Sequence, residues 1–228
     1  MKLRPYFFVV ATLAAIGLIV APQLILSAPR EATMGLVYKI FFYHVPVATV
    51  TFIATFVCAW GSVKFLFKGS EAGDQLAVSA AELTVLFGLL TLVTGPLWAR
   101  KAWGVWWQWD VRLTTTVLLW FIFIAYLFAR KYGGPGARRL CAGLALFGAA
   151  DVPLIYFSVS IWRTIHPKAT VISGIIKSPN GMGMPLLVSF IAMIALFLTL
   201  LELRVALERA RVRVDELHLE AEDAGLEN

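Results

Sequence analysis

The composition of this 228-residue chain excludes a soluble globular protein. Hydrophobic residues make up 60% of the chain, charged residues only 15%, and the mean hydropathy is +0.79. A soluble domain of this size cannot bury so much apolar surface, so the surrounding medium must be lipid. The net charge of +6 indicates basic loops at a membrane surface rather than a nucleic-acid-binding face, because no long basic run occurs.

Six apolar segments are each long enough to cross about 30 Å of hydrocarbon, which requires roughly 20 helical residues. Each must be helical, because a backbone within lipid finds no water to hydrogen-bond. In chain order, the predicted spans cover residues 6–27, 45–67, 77–97, 113–130, 139–161 and 184–204. The first span is too long for a secretory signal, so we expect it to be retained. The sequence therefore predicts an all-α integral membrane protein with a six-helix membrane domain over residues 1–204.

The connections between the spans divide between two membrane faces. Because six spans place both termini on one face, loops one, three and five share the other. Loop one ends in FFYHVP with His44, and loop five begins IWRTIHPKA with His166. Loop three, over residues 98–112, reads WARKAWGVWWQWDVR. Two of the three histidines and a cluster of tryptophans therefore converge on one membrane surface.

Basic residues predict the orientation of the chain. The face of the termini carries 12 Lys and Arg residues, and the opposite face carries 8. The positive-inside rule therefore places both termini in the cytoplasm and residues 98–112 outside. Residues 205–228 form a charged cytoplasmic tail that extends the last helix and frays at its acidic end. Eight external cations are many for translocated loops and require a separate explanation.

The third connection concentrates five tryptophans within twelve positions: Trp98, Trp103, Trp106, Trp107 and Trp109. One interpretation is an aromatic belt at the membrane interface, with Asp110 as the N-cap of the fourth span. A belt would also place tryptophans in the loops of the other face, which hold none. The i, i+3, i+4, i+7 spacing from Trp103 to Asp110 instead predicts a short interfacial helix. Its three indoles would form a plate for a large, flat, apolar ligand.

The two histidines on this face are candidate metal ligands. His44 lies two residues before Pro46, which suits the first turn of a helix, and His166 precedes Pro167, which favours an extended backbone. A single interfacial histidine is commonly a hydrogen-bonded structural residue. Two imidazoles facing each other across a flat ligand, however, hold haem iron from both sides. The pattern therefore favours haem b, bound non-covalently with bis-histidine ligation.

Haem also carries two carboxylates, which would account for the surplus of external cations. The candidate partners are Arg100, Lys101, Arg112, Arg163 and Lys168. Zinc is a weaker alternative, because this face offers two histidines and few acids. The sequence contains no CxxCH motif, no glycine-rich phosphate loop and no catalytic Ser-His-Asp spacing. Cys58 and Cys141 suit small apolar positions in a helix bundle.

The segment WGVWWQWDVRLT resembles the WWD signature of the membrane proteins that handle haem in cytochrome c maturation. With the six spans, FFYHVPVA and YFSVSIWRTIHPKATV, the likeness extends over roughly residues 35–200 and is closest to the smallest group, the CcmC or haem exporter protein C family. The chain departs from the usual pattern at Pro96, Lys101, Ile161 and Pro167.

The resemblance implies a protein of the bacterial inner membrane that binds haem at the external face. Its platform would comprise Trp103, Trp106, Trp107, Trp109 and Asp110, and its axial ligands would be His44 and His166. The family presents haem to the membrane-anchored chaperone CcmE, which captures a vinyl group covalently. It associates with the single-span subunit CcmD and with the ABC transporter subunits CcmA and CcmB. Such a chain holds and orients haem and is not an enzyme.

Two alternatives remain open from the residues alone. A subunit that transports haem across the membrane would need a polar path through several spans, and Asp151 is the only charge deep within one. A structural subunit that docks a partner through its aromatic loop would bind no haem at all.

Overall fold

The computed structural model describes residues 3–30, 34–162, 164–166 and 181–223, and the helices within these ranges account for most of the chain. They are α1 Phe7–Ser27, α2 Phe41–Lys68, α3 Glu71–Trp103, α4 Val111–Tyr132, α5 Ala137–Ile161 and α6 Gly183–Asp223. A 3₁₀ turn at Leu36–Ile40 precedes α2. All six helices are long and apolar enough to cross a membrane. The predicted all-α fold with six transmembrane helices is therefore confirmed.

Helix α3 is longer at both ends than the predicted span over residues 77–97. Its N-terminus is capped by Ser70, whose Oγ accepts a hydrogen bond from the backbone N–H of Gly73 at 3.1 Å. It ends at Trp103, and the following Gly104 adopts a left-handed conformation with φ +78°. Acidic residues in the first turn and basic residues in the last turn favour helix ends, but they lower the local hydropathy. The predicted span, which follows the apolar residues alone, therefore stops short of both ends of the helix.

The six helices form three closely packed antiparallel pairs, α1 with α6, α2 with α3, and α4 with α5. Small residues allow the backbones to approach each other, as is common between helices in lipid. A Cβ atom added to Gly61 of α2 would lie 2.5 Å from the carbonyl oxygen of Gly73 on α3. One added to Gly17 of α1 would lie 2.7 Å from the Cβ of Ala192 on α6. These contacts identify the faces through which α2 packs on α3 and α1 packs on α6.

Buried side chains from α2, α3, α4 and α5 form the largest core cluster. Phe123, Tyr126 and Leu119 of α4 are each at most 1% exposed, and both cysteines are buried free thiols beside them. The Sγ of Cys141 donates to the backbone carbonyl of Tyr126 at 3.3 Å. The cysteines therefore fill small positions in the bundle.

Ion pairs between buried acids and partly exposed arginines join the helices at the end of the bundle that carries the termini. Asp74 of α3 is 4% exposed and accepts two hydrogen bonds from Arg130 of α4, at 2.7 and 2.5 Å, and one from Arg138 of α5, at 2.9 Å. Glu202 of α6 accepts from the backbone N–H of Arg4 at 3.2 Å, which fixes the start of the chain against the last helix. Pairing makes these acids tolerable at the edge of a membrane.

Helix α6 continues well past the predicted end of the sixth span at residue 204 and ends at Asp223. At 1.5 Å per residue, the additional 19 residues extend the helix by roughly 28 Å. His218 lies in this exposed extension, remote from the other two histidines. Residues 224–228 lie outside the described ranges.

Candidate functional site

A cleft of about 230 Å³ opens at the end of the bundle that carries the first, third and fifth connections. Its walls are the first three turns of α2, the last turns of α3, the connection between α3 and α4, the start of α4, and the end of α5 with the residues after it. The sequence-predicted residues that line it are His44, His166, Trp98, Trp103, Trp106, Trp107 and Arg112. The fold therefore brings both candidate ligands and four of the five tryptophans to one cleft.

His44 occupies the first turn of α2, as the position of Pro46 suggested. Its Nδ1 lies 2.9 Å from the Oγ1 of Thr94 on α3. The imidazole also packs over Gly95, because a Cβ atom added there would lie 3.3 Å from the histidine Cε1. The close pairing of α2 with α3 therefore fixes both the position and the plane of this ring.

His166 lies five residues beyond the end of α5 and lines the cleft from the fifth connection, whereas His44 follows the first connection. Its ring centroid is 6.0 Å from that of the Trp103 indole, with the two planes tilted by 59°. Its backbone N–H donates to the Oγ1 of Thr164 at 3.3 Å. The following Pro167, which the sequence interpretation invoked, lies outside the described residues.

The predicted interfacial helix over the tryptophan segment is wrong. Helix α3 ends at Trp103 because Gly104 turns into the left-handed region, and residues 104–110 follow as a non-helical connection. Trp103, Trp106, Trp107 and Asp110 therefore do not share a helical face. The capping interpretation of Asp110 is correct, because its Oδ1 accepts from the backbone N–H of Leu113 at 2.8 Å and begins α4.

The indoles form edge-to-face pairs rather than the predicted continuous plate. Trp98 meets Trp103 with centroids 5.0 Å apart and planes at 77°, and Trp107 meets Trp109 at 5.6 Å and 76°. Edge-to-face contact is a favoured geometry because the positive ring edge faces the negative ring surface. Trp98 is only 6% exposed, whereas Trp109 is 75% exposed and does not line the cleft. The tryptophans thus form a wall with a buried base and an exposed rim.

Of the cationic residues predicted to bind the haem carboxylates, one lines the cleft. The others lie outside its lining or outside the described residues. Arg112 lines the cleft, and its Nη1 is buried with no hydrogen-bond partner among the described residues. Arg100 lies outside the cleft lining, with one Nη donating to the carbonyl of Gly104 and its guanidinium 6.0 Å from the Trp106 ring centroid. Lys101 is exposed at the end of α3. Arg163 and Lys168 fall outside the described ranges.

Unpaired donors other than Arg112 also lie at this end of the bundle. Within the part of the chain that the structure describes, the Nε1 atoms of Trp98 and Trp107 are buried without an acceptor. Buried polar atoms in native proteins nearly always have a partner, and exceptions often indicate a bound group. Two indole N–H groups and one guanidinium nitrogen of residues that line the cleft therefore lack acceptors among the described residues.

The sequence interpretation missed Thr94 and Gly95, the residues of α3 that contact His44. Thr91, Gly95 and Trp98 recur at i, i+4 and i+7, so the cleft-facing side of α3 carries small and polar residues before its tryptophans. That spacing could have indicated a polar face on α3. The residue that packs against this face, His44, could not be identified without the register between α2 and α3.

The donor set fits an iron porphyrin better than an isolated metal ion. In the described ranges, no group of three or more His, Cys, Asp or Glu side chains could hold a metal ion. A zinc site normally needs three or four protein ligands, whereas haem iron needs only axial ones. The apolar lining, which includes Phe41, Val45, Leu92 and Ile155, suits the faces of a large flat ring.

The fold and the cleft together define a multi-pass membrane protein with an aromatic, histidine-lined binding site at one membrane face. The family model described as Heme exporter protein C matches residues 1–220. The chain therefore belongs to the Heme exporter protein C family of cytochrome c maturation, which confirms the resemblance.

Relatives at about one third identity span most of this chain. Heme exporter protein C of Bradyrhizobium diazoefficiens is 36% identical over 191 residues, covering 82% of this chain and 73% of the relative. Its counterpart from Haemophilus influenzae is 30% identical, covering 87% and 80%. A putative cytochrome c biosynthesis ccmC-like mitochondrial protein of Marchantia polymorpha is 32% identical, covering 74% and 77%. With its six apolar helices and bacterial relatives, the chain is a multi-pass protein of the inner membrane.

Proposed function

We propose that this chain binds haem b non-covalently in the cleft and presents it to the chaperone CcmE at the external face of the inner membrane. The observation that carries the proposal is the meeting of His44 and His166, from two separate connections, in one cleft lined by four indoles. The two imidazoles would be the axial ligands of the iron. Haem is the cargo of this site, and the chain supplies its position and orientation.

Arg112 is the strongest candidate to bind a haem propionate. Its side chain lines the cleft and retains a buried Nη1 with no acceptor among the described residues. A buried guanidinium is stabilised by a carboxylate, and the fork of N–H donors suits the two oxygens. Arg100 is a weaker candidate, because its guanidinium already contacts the carbonyl of Gly104 and the face of Trp106.

The exposed tryptophans form the rim across which the chaperone would reach the haem. Trp106 lines the cleft and is 57% exposed, and Trp109, which contacts Trp107, is 75% exposed. Exposed aromatic residues of this size are common in protein interfaces. The covalent capture of a haem vinyl group takes place on CcmE, so this chain acts as a holder rather than as an enzyme.

The proposal also includes an orientation and an assembly. Both termini lie in the cytoplasm, in agreement with the 12 Lys and Arg residues on that face. As a haem exporter component, the chain assembles with the ABC transporter subunits CcmA and CcmB and with the single-span subunit CcmD.

A haem path through the bundle has less support, because the cleft is lined by residues near one end of the helices. Asp151, mid-span in α5, does not line it.

The absorption spectrum of the purified protein with haem tests the proposal. We expect the Soret band of a six-coordinate, bis-histidine haem in the unsubstituted protein. His44→Ala and His166→Ala should each lose the band or shift it to a five-coordinate form. His218→Ala is the matched control, because this third histidine is exposed on the far extension of α6. Unchanged spectra in both cleft variants would refute the ligand assignment. If the unsubstituted protein shows no Soret band of bound haem after haem is added, the result would favour a structural subunit.

A further inference from the structure

We propose that Thr94 is a positioning residue that selects the tautomer of His44. By accepting a hydrogen bond from the Nδ1–H group, the threonine hydroxyl would favour the tautomer in which Nε2 is unprotonated and its lone pair is available to a ligand. Gly95, the next residue of α3, would set the plane of the same ring. The tautomer follows from the contacts alone, and its consequence for iron binding rests on the proposed function.

The direction of the hydrogen bond follows from the single proton of the threonine hydroxyl. The Oγ1 of Thr94 lies 2.7 Å from the carbonyl oxygen of Leu90, which can only accept. This i−4 bond is the usual one for threonine within a helix, and it uses the hydroxyl proton. The same oxygen lies 2.9 Å from the Nδ1 of His44, so it acts there as the acceptor. The Nδ1 atom must then carry the imidazole proton.

The tautomer matters because a metal binds the unprotonated nitrogen of a neutral imidazole. The nitrogen that carries the proton is set by the hydrogen bond of the other ring atom. Histidines that bind metals commonly donate this second N–H to a fixed acceptor, which also orients the ring. Thr94 provides such an acceptor on a different helix from the ligand, so the α2–α3 pairing itself would prepare Nε2 for binding.

Gly95 restricts the ring from the side of the α3 backbone. A Cβ atom there would lie 3.3 Å from the Cε1 and 3.9 Å from the Nδ1 of His44. The first distance is tight, so alanine would require the imidazole to shift by a few tenths of an ångström. Glycine weakens a helix interior relative to alanine, but at this position it allows the imidazole of His44 to pack closely against the α3 backbone.

Nitrogen NMR of the haem-free protein tests the tautomer directly. The chain has only three histidines, so ¹⁵N-histidine labelling in detergent gives few signals, and His44→Gln identifies the one of interest. We expect a protonated Nδ1 and an unprotonated Nε2 in the unsubstituted protein. Thr94→Val should move the population toward the Nε2–H tautomer, and Thr94→Ser should restore it. Thr84→Val is the matched control, since Thr84 makes the same i−4 bond on the same helix at 2.9 Å, outside the cleft.

Titration with iron protoporphyrin IX tests the consequence. We expect Thr94→Val to weaken haem binding by about tenfold to a hundredfold and to shift the iron–histidine vibration, while Thr94→Ser and Thr84→Val do neither. Gly95→Ala should disturb the His44 signals, whereas Gly143→Ala, which meets open space on α5, should not.

The two experiments fail in distinguishable ways. The inference is overturned if His44 of the unsubstituted protein carries its proton on Nε2. It is also overturned if His44 has the same tautomer in Thr94→Val as in the unsubstituted protein, whether or not haem binds. Unchanged haem affinity and iron–histidine vibration in a Thr94→Val protein with an altered tautomer would remove the positioning role. An unsubstituted protein that binds no haem but has the expected Nδ1–H tautomer would refute the proposed function and leave the tautomer established.

Discussion

The imidazole of His166 lies against the indole of Trp103, with ring centroids 6.0 Å apart. This contact joins the fifth connection to the end of α3, where Trp103 also meets the buried Trp98 edge to face. The position of one candidate ligand is thereby coupled to the tryptophan wall. His44 depends on α3 as well, through Thr94 and Gly95. Helix α3 therefore supports both candidate ligands, although it carries neither.

Replacing Trp103 should disturb the His166 side of the site more than the His44 side. Trp103→Ala removes the ring that His166 packs against, so we expect weaker haem binding and a larger five-coordinate fraction in the absorption spectrum. Trp103→Phe should retain part of the affinity, because an aromatic edge remains. Trp109→Ala is the control, since this exposed side chain does not line the cleft. Equal losses in Trp103→Ala and Trp109→Ala would contradict a specific contact with His166.

Asp110 should act through the start of α4 rather than through haem. Its Oδ1 accepts from the backbone N–H of Leu113, so Asp110→Ala should lower stability by about 1 kcal/mol in reversible denaturant unfolding. Asp110→Ser supplies another capping oxygen, and we expect it to retain both stability and the haem spectrum. Loss of haem binding in Asp110→Ser with stability intact would show that the carboxylate contacts the ligand.

The six helices could be predicted because lipid leaves little choice. A segment of 20 apolar residues must satisfy its backbone internally, and the parity of six spans then assigns His44, His166 and the tryptophans to one face. The helix ends were harder to predict. Glu71 and Arg100, which lie in the first and last turns of α3, lower the hydropathy there.

The tryptophan segment shows where the spacing of residues misleads. The residues from Trp103 to Asp110 have helical spacing in the sequence. Gly104, at φ +78°, ends the helix at Trp103, so they do not share a helical face. Glycine allows this conformation, and a side-chain pattern does not reveal whether it is used. The contact of Thr94 with His44 was likewise hidden, because it depends on the register of two helices that only packing determines.

The role of Arg112 predicts a dependence on the haem carboxylates. We expect Arg112→Gln to weaken the binding of iron protoporphyrin IX but to leave the binding of its dimethyl ester nearly unchanged, because the ester has no charged partner for the guanidinium. Arg100→Gln is the control, since this arginine lies in the last turn of α3 and does not line the cleft. Equal losses for haem and for its ester in Arg112→Gln would point to a steric role and against a propionate contact.

The ion pairs around Asp74 should hold the opposite end of the bundle together without contributing to the cleft. Asp74→Asn removes the buried carboxylate that accepts hydrogen bonds from Arg130 and Arg138. We expect a loss of about 1.5–3 kcal/mol in unfolding free energy, because charge-assisted hydrogen bonds are lost, although Arg130 keeps Glu208 and Arg138 keeps Glu71 as partners. Glu216→Gln is the control, since its pair with Arg213 is exposed and should contribute at most about 1 kcal/mol.

The haem spectrum separates this stabilising role from a role in binding. Asp74 lies at the end of α3 opposite to His44, so the fraction of Asp74→Asn that remains folded should bind haem with unchanged affinity and ligation. Denaturant unfolding in detergent measures the first effect, and haem titration of the same preparation measures the second. If folded Asp74→Asn lost the bis-histidine spectrum, the two ends of α3 would be coupled, and the cleft could no longer be treated as a site fixed by local contacts.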